Sequence, residues 1–278
     1  NLNFKLNQSI TEKMRLELNT RYSDETTNGA GLSGNSDLKI RDVLSARPVN
    51  GIVDNITISP QEAGDEYDTF RESLIQPDEK IDDDYRKRRR RRFDLNAAFN
   101  WNIIGGLTFR SEIGGGYSNT VDHRFYGPLT GASAKQGFNL PMGIITNVES
   151  PNYRISNLLT YDIDRSFYRF SVMAGQEILN RDRNEHRVWS MKFPEQIEPV
   201  RLFANMGLGE VKSNTTTISA PDRLSSFFGR ANMILMERYI FNFTFRADGS
   251  SKFAPGNHWG YFPAGSSAWR ISQESFMD

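Results

Sequence analysis

Apolar and polar residues alternate with a period of two along much of the chain, the pattern of strands with one wet face and one dry face. Leu2, Phe4 and Leu6 alternate with Asn3, Lys5 and Asn7, and after a turn near residues 8–12 Met14, Leu16, Leu18 and Tyr22 alternate with Arg15, Glu17, Asn19 and Arg21. Phe93, Leu95, Ala97, Phe99 and Trp101 repeat the pattern, and Gly105-Gly106 turns the chain into Leu107, Phe109, Ile113 and Tyr117. Two further hairpins are expected, 153–162 with 167–180 across 163–166, and 224–235 with 239–248 across 236–238. A last strand is expected over 259–269, making about nine. Short turns alternate with longer polar connections at 24–90, 121–151, 181–223 and 249–258, and within the first of these Asp37–Ala46 fits a short helix loosely.

Composition narrows the class. The 278 residues carry 34 Lys+Arg against 34 Asp+Glu, so no global field favours nucleic acid, and there are no cysteines for disulfides, thiolate metal sites or thiol catalysis. The three histidines, His123, His186 and His258, are scattered. No apolar run is long enough for a membrane helix. Aromatics are abundant, with 19 Phe, 10 Tyr and 4 Trp, and they gather toward strand ends at Tyr22, Trp101, Tyr117, Tyr161, Tyr239, Trp259 and Trp269. The strand-like runs reach the roughly 9–11 residues that a tilted strand needs to cross a bilayer. Together with short turns at one end and long loops at the other, these features describe an all-β, antiparallel transmembrane barrel with aromatic girdles. Residues 1–7 carry no signal-peptide pattern, and the expectation is a mature or cut piece of a larger protein.

The stretch Leu224 to Met277 resembles the barrel of SusC/RagA-type TonB-dependent outer-membrane transporters. It carries Phe228-Gly229-Arg230-Ala231-Asn232, taken as opening a strand, Glu237-Arg238-Tyr239 at a tight turn and Arg246-Ala247-Asp248-Gly249-Ser250-Ser251 leaving the next strand. Trp259-Gly260-Tyr261-Phe262-Pro263 and Ala268-Trp269-Arg270-Ile271-Ser272 follow. The resemblance implies that residues 1–278 are part of a receptor barrel domain, about nine strands of a closed, plugged barrel of some 22 strands, with short periplasmic turns and long extracellular loops. The plug and N-terminal domains of the family are not found in this sequence. The resemblance further implies import of large nutrients, glycans or peptides, under a SusD-like surface lipoprotein lid. Energy would come from TonB through a part of the protein outside this chain, and lid–transporter pairs would form homodimers. Location in a bacterial outer membrane, in contact with its lipid, goes with it.

No catalytic, cofactor-binding or metal-ligating residue is expected. Gly-x-Ser-x-Gly is missing, no acid pair stands out, and Asp248-Gly249-Ser250-Ser251 lacks calcium-loop spacing and reads as a turn. Gly114-Gly115-Gly116, inside a strand pattern, reads as a bend or bulge. The polar phase holds Arg15, Glu17, Arg21, Arg110, Glu112, Arg230, Asn232, Asn242 and Arg246. By phase alone, Arg230, Asn232, Arg246 and Asp248 are candidates to face the lumen and contact substrate or, as the favoured reading, to hold the plug. The basic run from Arg86 to Arg92 is offset by Asp78, Glu79 and Asp82–Asp84, which argues against nucleic acid. It leaves open a solvated rim or contact with lipid headgroups or substrate. The alternative to a transporter is a soluble, secreted all-β carbohydrate-binding module, with short strands and apolar residues packed inward.

Overall fold

The computed structural model describes residues 1–29, 82–274, 276 and 277. The strands are β1 (Leu2–Thr11), β2 (Met14–Asn28), β3 (Asp84–Ile104), β4 (Leu107–Tyr126), β5 (Met142–Asp164), β6 (Tyr168–Arg181), β7 (Asn184–Met191), β8 (Glu210–Ile218), β9 (Asp222–Leu235), β10 (Tyr239–Ser250) and β11 (Trp259–Trp269). Two short helices, α1 (Gly131–Gln136) and α2 (Pro199–Ala204), lie in the long connections. One antiparallel sheet runs β1-β2-β3-β4-β5-β6-β9-β10-β11, nine strands in a single path. β1 and β11 are not paired with each other, so the sheet is open.

That path matches the expected nine strands, and four expectations need correction. The connection 181–223 is not a loop: β7 pairs with the outer half of β5, β8 pairs with β7, and α2 lies between them. β3 begins at Asp84, so the basic run is strand, with Lys87–Arg92 paired to both β2 and β4 and Arg86 to β4. The glycine triplet makes no bulge, because the β3–β4 register is continuous through it. The sequence Phe228 to Asn232 lies in the middle of β9 and does not open it. The short helix expected at Asp37–Ala46 lies outside the described residues.

Directly opposed residues share a face, so the registers sort the side chains into two sets. Phe227, Ala231 and Met233 of β9 share a face with Phe241, Phe243 and Phe245 of β10. On this face Phe241, Phe243 and Phe245 are 46, 54 and 39% exposed, an arrangement that water would penalise and hydrocarbon would not. Ile113, Leu159, Tyr161 and Val172 lie on the same face and are also exposed. One level, with Ser111 donating to Asn157 at 2.8 Å, interrupts the apolar character. The opposite face is polar.

At the short-turn end, the β9–β10 turn holds Met236 (φ 51°) and Glu237 (φ 61°) in the left-handed region, and the Arg238 N–H donates to the Leu235 carbonyl at 2.9 Å. Left-handed geometry at both central positions matches the right-handed twist of the flanking strands. At the other end, β3, β4 and β5 have 21, 20 and 23 residues, about twice what a crossing requires. Their outer halves carry a small core in which Phe125, Phe193 and Leu202 are buried, with Tyr85, Ile197, Phe203 and Met206 against them.

Candidate functional site

The registers align one level of the polar face across the sheet: Asn7, Glu17, Ala98, Glu112, Ser156, Glu177, Ser226, Asp248 and Gly260. Carboxylates stand on β2, β4, β6 and β10, Ala98, Ser156 and Ser226 separate them on the strands between, and Gly260 follows on β11. The small residues leave room for guanidinium groups from the neighbouring levels. Arg110 donates from Nε to Glu112 at 2.6 Å and from Nη1 to Asn100 at 2.6 Å, with Nη2 3.6 Å from Glu17. Arg154 lies 3.1 Å from Glu112 and 3.6 Å from Glu177, and Arg246 is 3.8 Å from Glu177. Arg246 Nε donates to both Asp248 oxygens, at 2.7 and 2.9 Å, and its Nη2 to Ser226 at 3.0 Å. Four carboxylates and three guanidinium groups thus form one belt from β2 to β10. Half-exposed pairs of this kind are individually weak, and their sum fixes the wall more than it stabilises it.

All four predicted residues lie on this face, in two separate pairs. Arg246 and Asp248 are in the belt, and the Arg246 guanidinium also sits over the Phe228 ring, 5.3 Å from Cζ to centroid. Arg230 and Asn232 lie nearer the short turns. Arg230 Nε donates to Asn232 at 3.1 Å, its one polar contact among the described residues, and it stays exposed. Sequence reasoning missed Arg154, Glu177 and the ring of Phe228. Their phase was readable, but the register that brings β5 and β6 to β10 was not.

Outward along the strands from the belt, the same face holds an open recess of about 560 Å³. Its walls include Lys5, Arg21, Arg92, Arg154 and Arg181 against the single carboxylate of Asp94. Arg92 is paired with Asp94 at 2.8 Å, while Lys5 and Arg21 have no ion-pair partner among the described residues. The glycine triplet contributes here: a Cβ at Gly116 would come within 2.9 Å of Asp94 Oδ1, and one at Gly114 within 3.0 Å of Asn96 Oδ1. The recess suits an anionic or polyhydroxylated guest more than an apolar one.

At the short-turn end the chain leaving β11 returns to the sheet. Glu274 accepts from the Trp269 indole N–H at 2.9 Å, the Tyr239 hydroxyl at 3.0 Å and Arg238 Nη1 at 2.8 Å. The indole hydrogen bond first, then the tyrosine hydroxyl and Arg238, hold this carboxyl below the ordinary glutamate range against the opposing effect of burial. Tyr239 and Trp269 stack with centroids 6.4 Å apart, and Phe276 packs edge-on against Trp269.

No family model matches the chain. Over 187 residues it is 26% identical to the TonB-dependent receptor SusC of Bacteroides thetaiotaomicron, covering 66% of this chain and 17% of that protein. Over 278 residues it is 27% identical to the TonB-dependent receptor P3 of Formosa agariphila, covering 96% of this chain and 26% of that protein. The chain therefore spans about a quarter or less of these relatives. Among solved structures, the RagAB peptide transporter superposes with a TM-score of 0.71 at 14% identity, over 99% of this chain and 30% of the other, a likeness of fold.

Proposed function

We propose that this chain, a SusC/RagA-like segment of a TonB-dependent outer-membrane barrel by its similarity to TonB-dependent receptors, forms part of the wall of a transporter for large nutrients. The observation that carries this reading is the division of the sheet into a self-paired polar face and an exposed phenylalanine face. A solute path needs the first and a bilayer the second. A secreted carbohydrate-binding module would bury Phe241, Phe243 and Phe245, and is not favoured.

In this reading the polar face lines the lumen, the short turns are periplasmic, and the long connections are extracellular. The belt residues Arg246 and Asp248 hold the wall, engaged by hydrogen bonds with each other and Ser226 and by the ion pair of Arg246 with Glu177. Arg230 and Asn232, less engaged, are the better candidates for contact with a plug supplied by the rest of the protein, or with substrate. The rest of the protein also provides the contact to TonB, and a SusD-like lipoprotein closes the extracellular mouth, the assemblies pairing as dimers. Peptides and glycans both remain candidate cargo. The cationic recess near Arg21 accepts the carboxylates of a peptide or of an acidic glycan alike.

The test is uptake by cells expressing the full-length protein, with fluorescent oligopeptides and oligosaccharides offered separately, with and without an uncoupler of the proton-motive force. Uncoupler-sensitive uptake of one class supports the proposal and names the cargo. Uptake indifferent to both the gene and the uncoupler would exclude it.

A further inference from the structure

The basic run in β3 is divided by the strand pleat. Phe93 is opposite Tyr22 on β2 and Tyr117 on β4, all three exposed on the apolar face. Counting back by twos, Arg91, Arg89 and Lys87 share that outward face, while Arg92, Arg90, Arg88 and Arg86 point to the lumen side. The inward set is partly neutralised, with Arg92 on Asp94 and Arg86 on Asp122.

The outward set shares one carboxylate within ion-pair distance. Asp24 on β2 receives two hydrogen bonds from Arg89, at 3.0 and 2.5 Å, and lies 3.9 Å from Arg91. Lys87 has no ion-pair partner among the described residues. The other outward carboxylate nearby, Glu149, is on β5, beyond Asn119 of β4. His123, beside Lys87 in the register, is covered by the Phe203 ring at 4.7 Å.

Height along the wall gives this patch a meaning. Residues two apart on a strand advance about 6.8 Å, or about 5 Å along the membrane normal at a barrel tilt of about 40°. Arg91, Arg89 and Lys87 therefore stand roughly 5, 10 and 15 Å above the Tyr22–Phe93–Tyr117 girdle. The polar layer outside the hydrocarbon is about 5–7 Å deep on each side, so Arg91 lies within it, and the long side chains of Arg89 and Lys87 reach down the wall toward it. Above the patch, α2 and Phe203 pack on the same face and limit how high a headgroup can reach. We infer that Lys87, Arg89 and Arg91 form a binding site for the phosphate groups of an outer-leaflet lipid headgroup, on the outer surface of the barrel. This rests on the outer-membrane barrel reading above, and it adds a lipid site that nutrient import does not require.

The opposite phase of the same strand supplies the control. The full-length transporter, purified in detergent, would be tested for binding of lipid A, of lipid A stripped of its phosphates, and of inorganic phosphate alone. Lys87→Ser/Arg91→Ser is compared with Arg88→Ser/Arg90→Ser, keeping Arg89 and its Asp24 partner in both. Loss of two surface cations is expected to weaken lipid A binding roughly 30-fold, with the inward pair within about twofold of the parent and the dephosphorylated lipid bound as weakly as by the outward variant. Equal losses in both variants, equal binding of the dephosphorylated lipid, or inorganic phosphate bound as tightly as lipid A would overturn the inference. Heat-modifiable gel migration of each preparation is read alongside. If the parent protein lacks it, the barrel reading fails, and with it the basis of the site. If both variants keep it, any difference in lipid binding belongs to the cations.

Discussion

Arg246 rests its guanidinium over the ring of Phe228, and that ring occupies the space above Gly175 on the adjacent strand. A Cβ built at Gly175 would lie 2.5 Å from the Phe228 ring and 3.0 Å from Leu158. Glycine is required there by close approach, since the ring could not otherwise lie flat on the wall beneath the charge. Gly175→Val is therefore expected to push Phe228 away and loosen Arg246, at a cost of about 1–3 kcal/mol typical of overpacking. A lowered temperature for the gel-shift transition of the full-length barrel checks it, and Phe228→Ala in the same background should restore part of the loss.

The belt works as a network, and coupling is its signature. In a double-mutant cycle, Arg246→Ala and Asp248→Ala are each expected to destabilise the barrel, with a coupling energy of about 0.5–1 kcal/mol, small because both groups are partly solvated. Arg230→Ala with Asn232→Ala should give less, as that pair shares one exposed hydrogen bond. Denaturant titrations of the four single and two double variants, beside the parent, in lipid vesicles measure both.

Leu202 is fully buried, and a Cβ at Gly143 would meet its Cδ2 at 2.2 Å. This contact joins α2, in the connection between β7 and β8, to β5. Leu202→Ala is expected to cost the local unit about 2–5 kcal/mol while leaving the membrane-spanning strands intact. Hydrogen exchange should then rise across residues 184–218 and stay unchanged in β9 and β10. A uniform rise would mean that the hairpin is not a separate unit.

The tether of Glu274 carries a pH dependence with a definite sign. A carboxyl held below its ordinary value contributes stability that is complete above the unfolded glutamate value of 4.5 and is lost as pH falls through the lower folded value. Glu274→Gln is expected to lower the transition temperature at neutral pH, and the gap to the parent should close as pH drops below 4.5. A gap independent of pH would show that the contact acts by packing alone.

The nine-strand path was legible because Phe93 to Trp101, Leu107 to Tyr117 and Tyr239 to Asp248 alternate cleanly and are joined by short turns. β11 was read to the residue, from Trp259 to Trp269. The outer half of β3 was not, since seven consecutive cations occupy both phases and erase the alternation that marks a strand. β7 and β8 were hidden similarly, by short runs such as Asn214 to Thr217 with little apolar content and by Pro194 and Pro199 between them. As for the site, each belt residue announces its face, but Glu17, Glu112, Glu177 and Asp248 are 60 or more residues apart, and only inter-strand register puts them on one level.

The division of the sheet into a lipid face and a lumen face is the claim on which the rest depends. The most direct measurement places a nitroxide at each position from Phe241 to Arg246 of the full-length protein in lipid vesicles, and compares collisions with oxygen against a water-soluble nickel chelate. Labels at Phe241, Phe243 and Phe245 should favour oxygen and those at Asn242, Thr244 and Arg246 nickel, with a period of two. Nickel access at every position, or a period of two with the opposite phase, would contradict it.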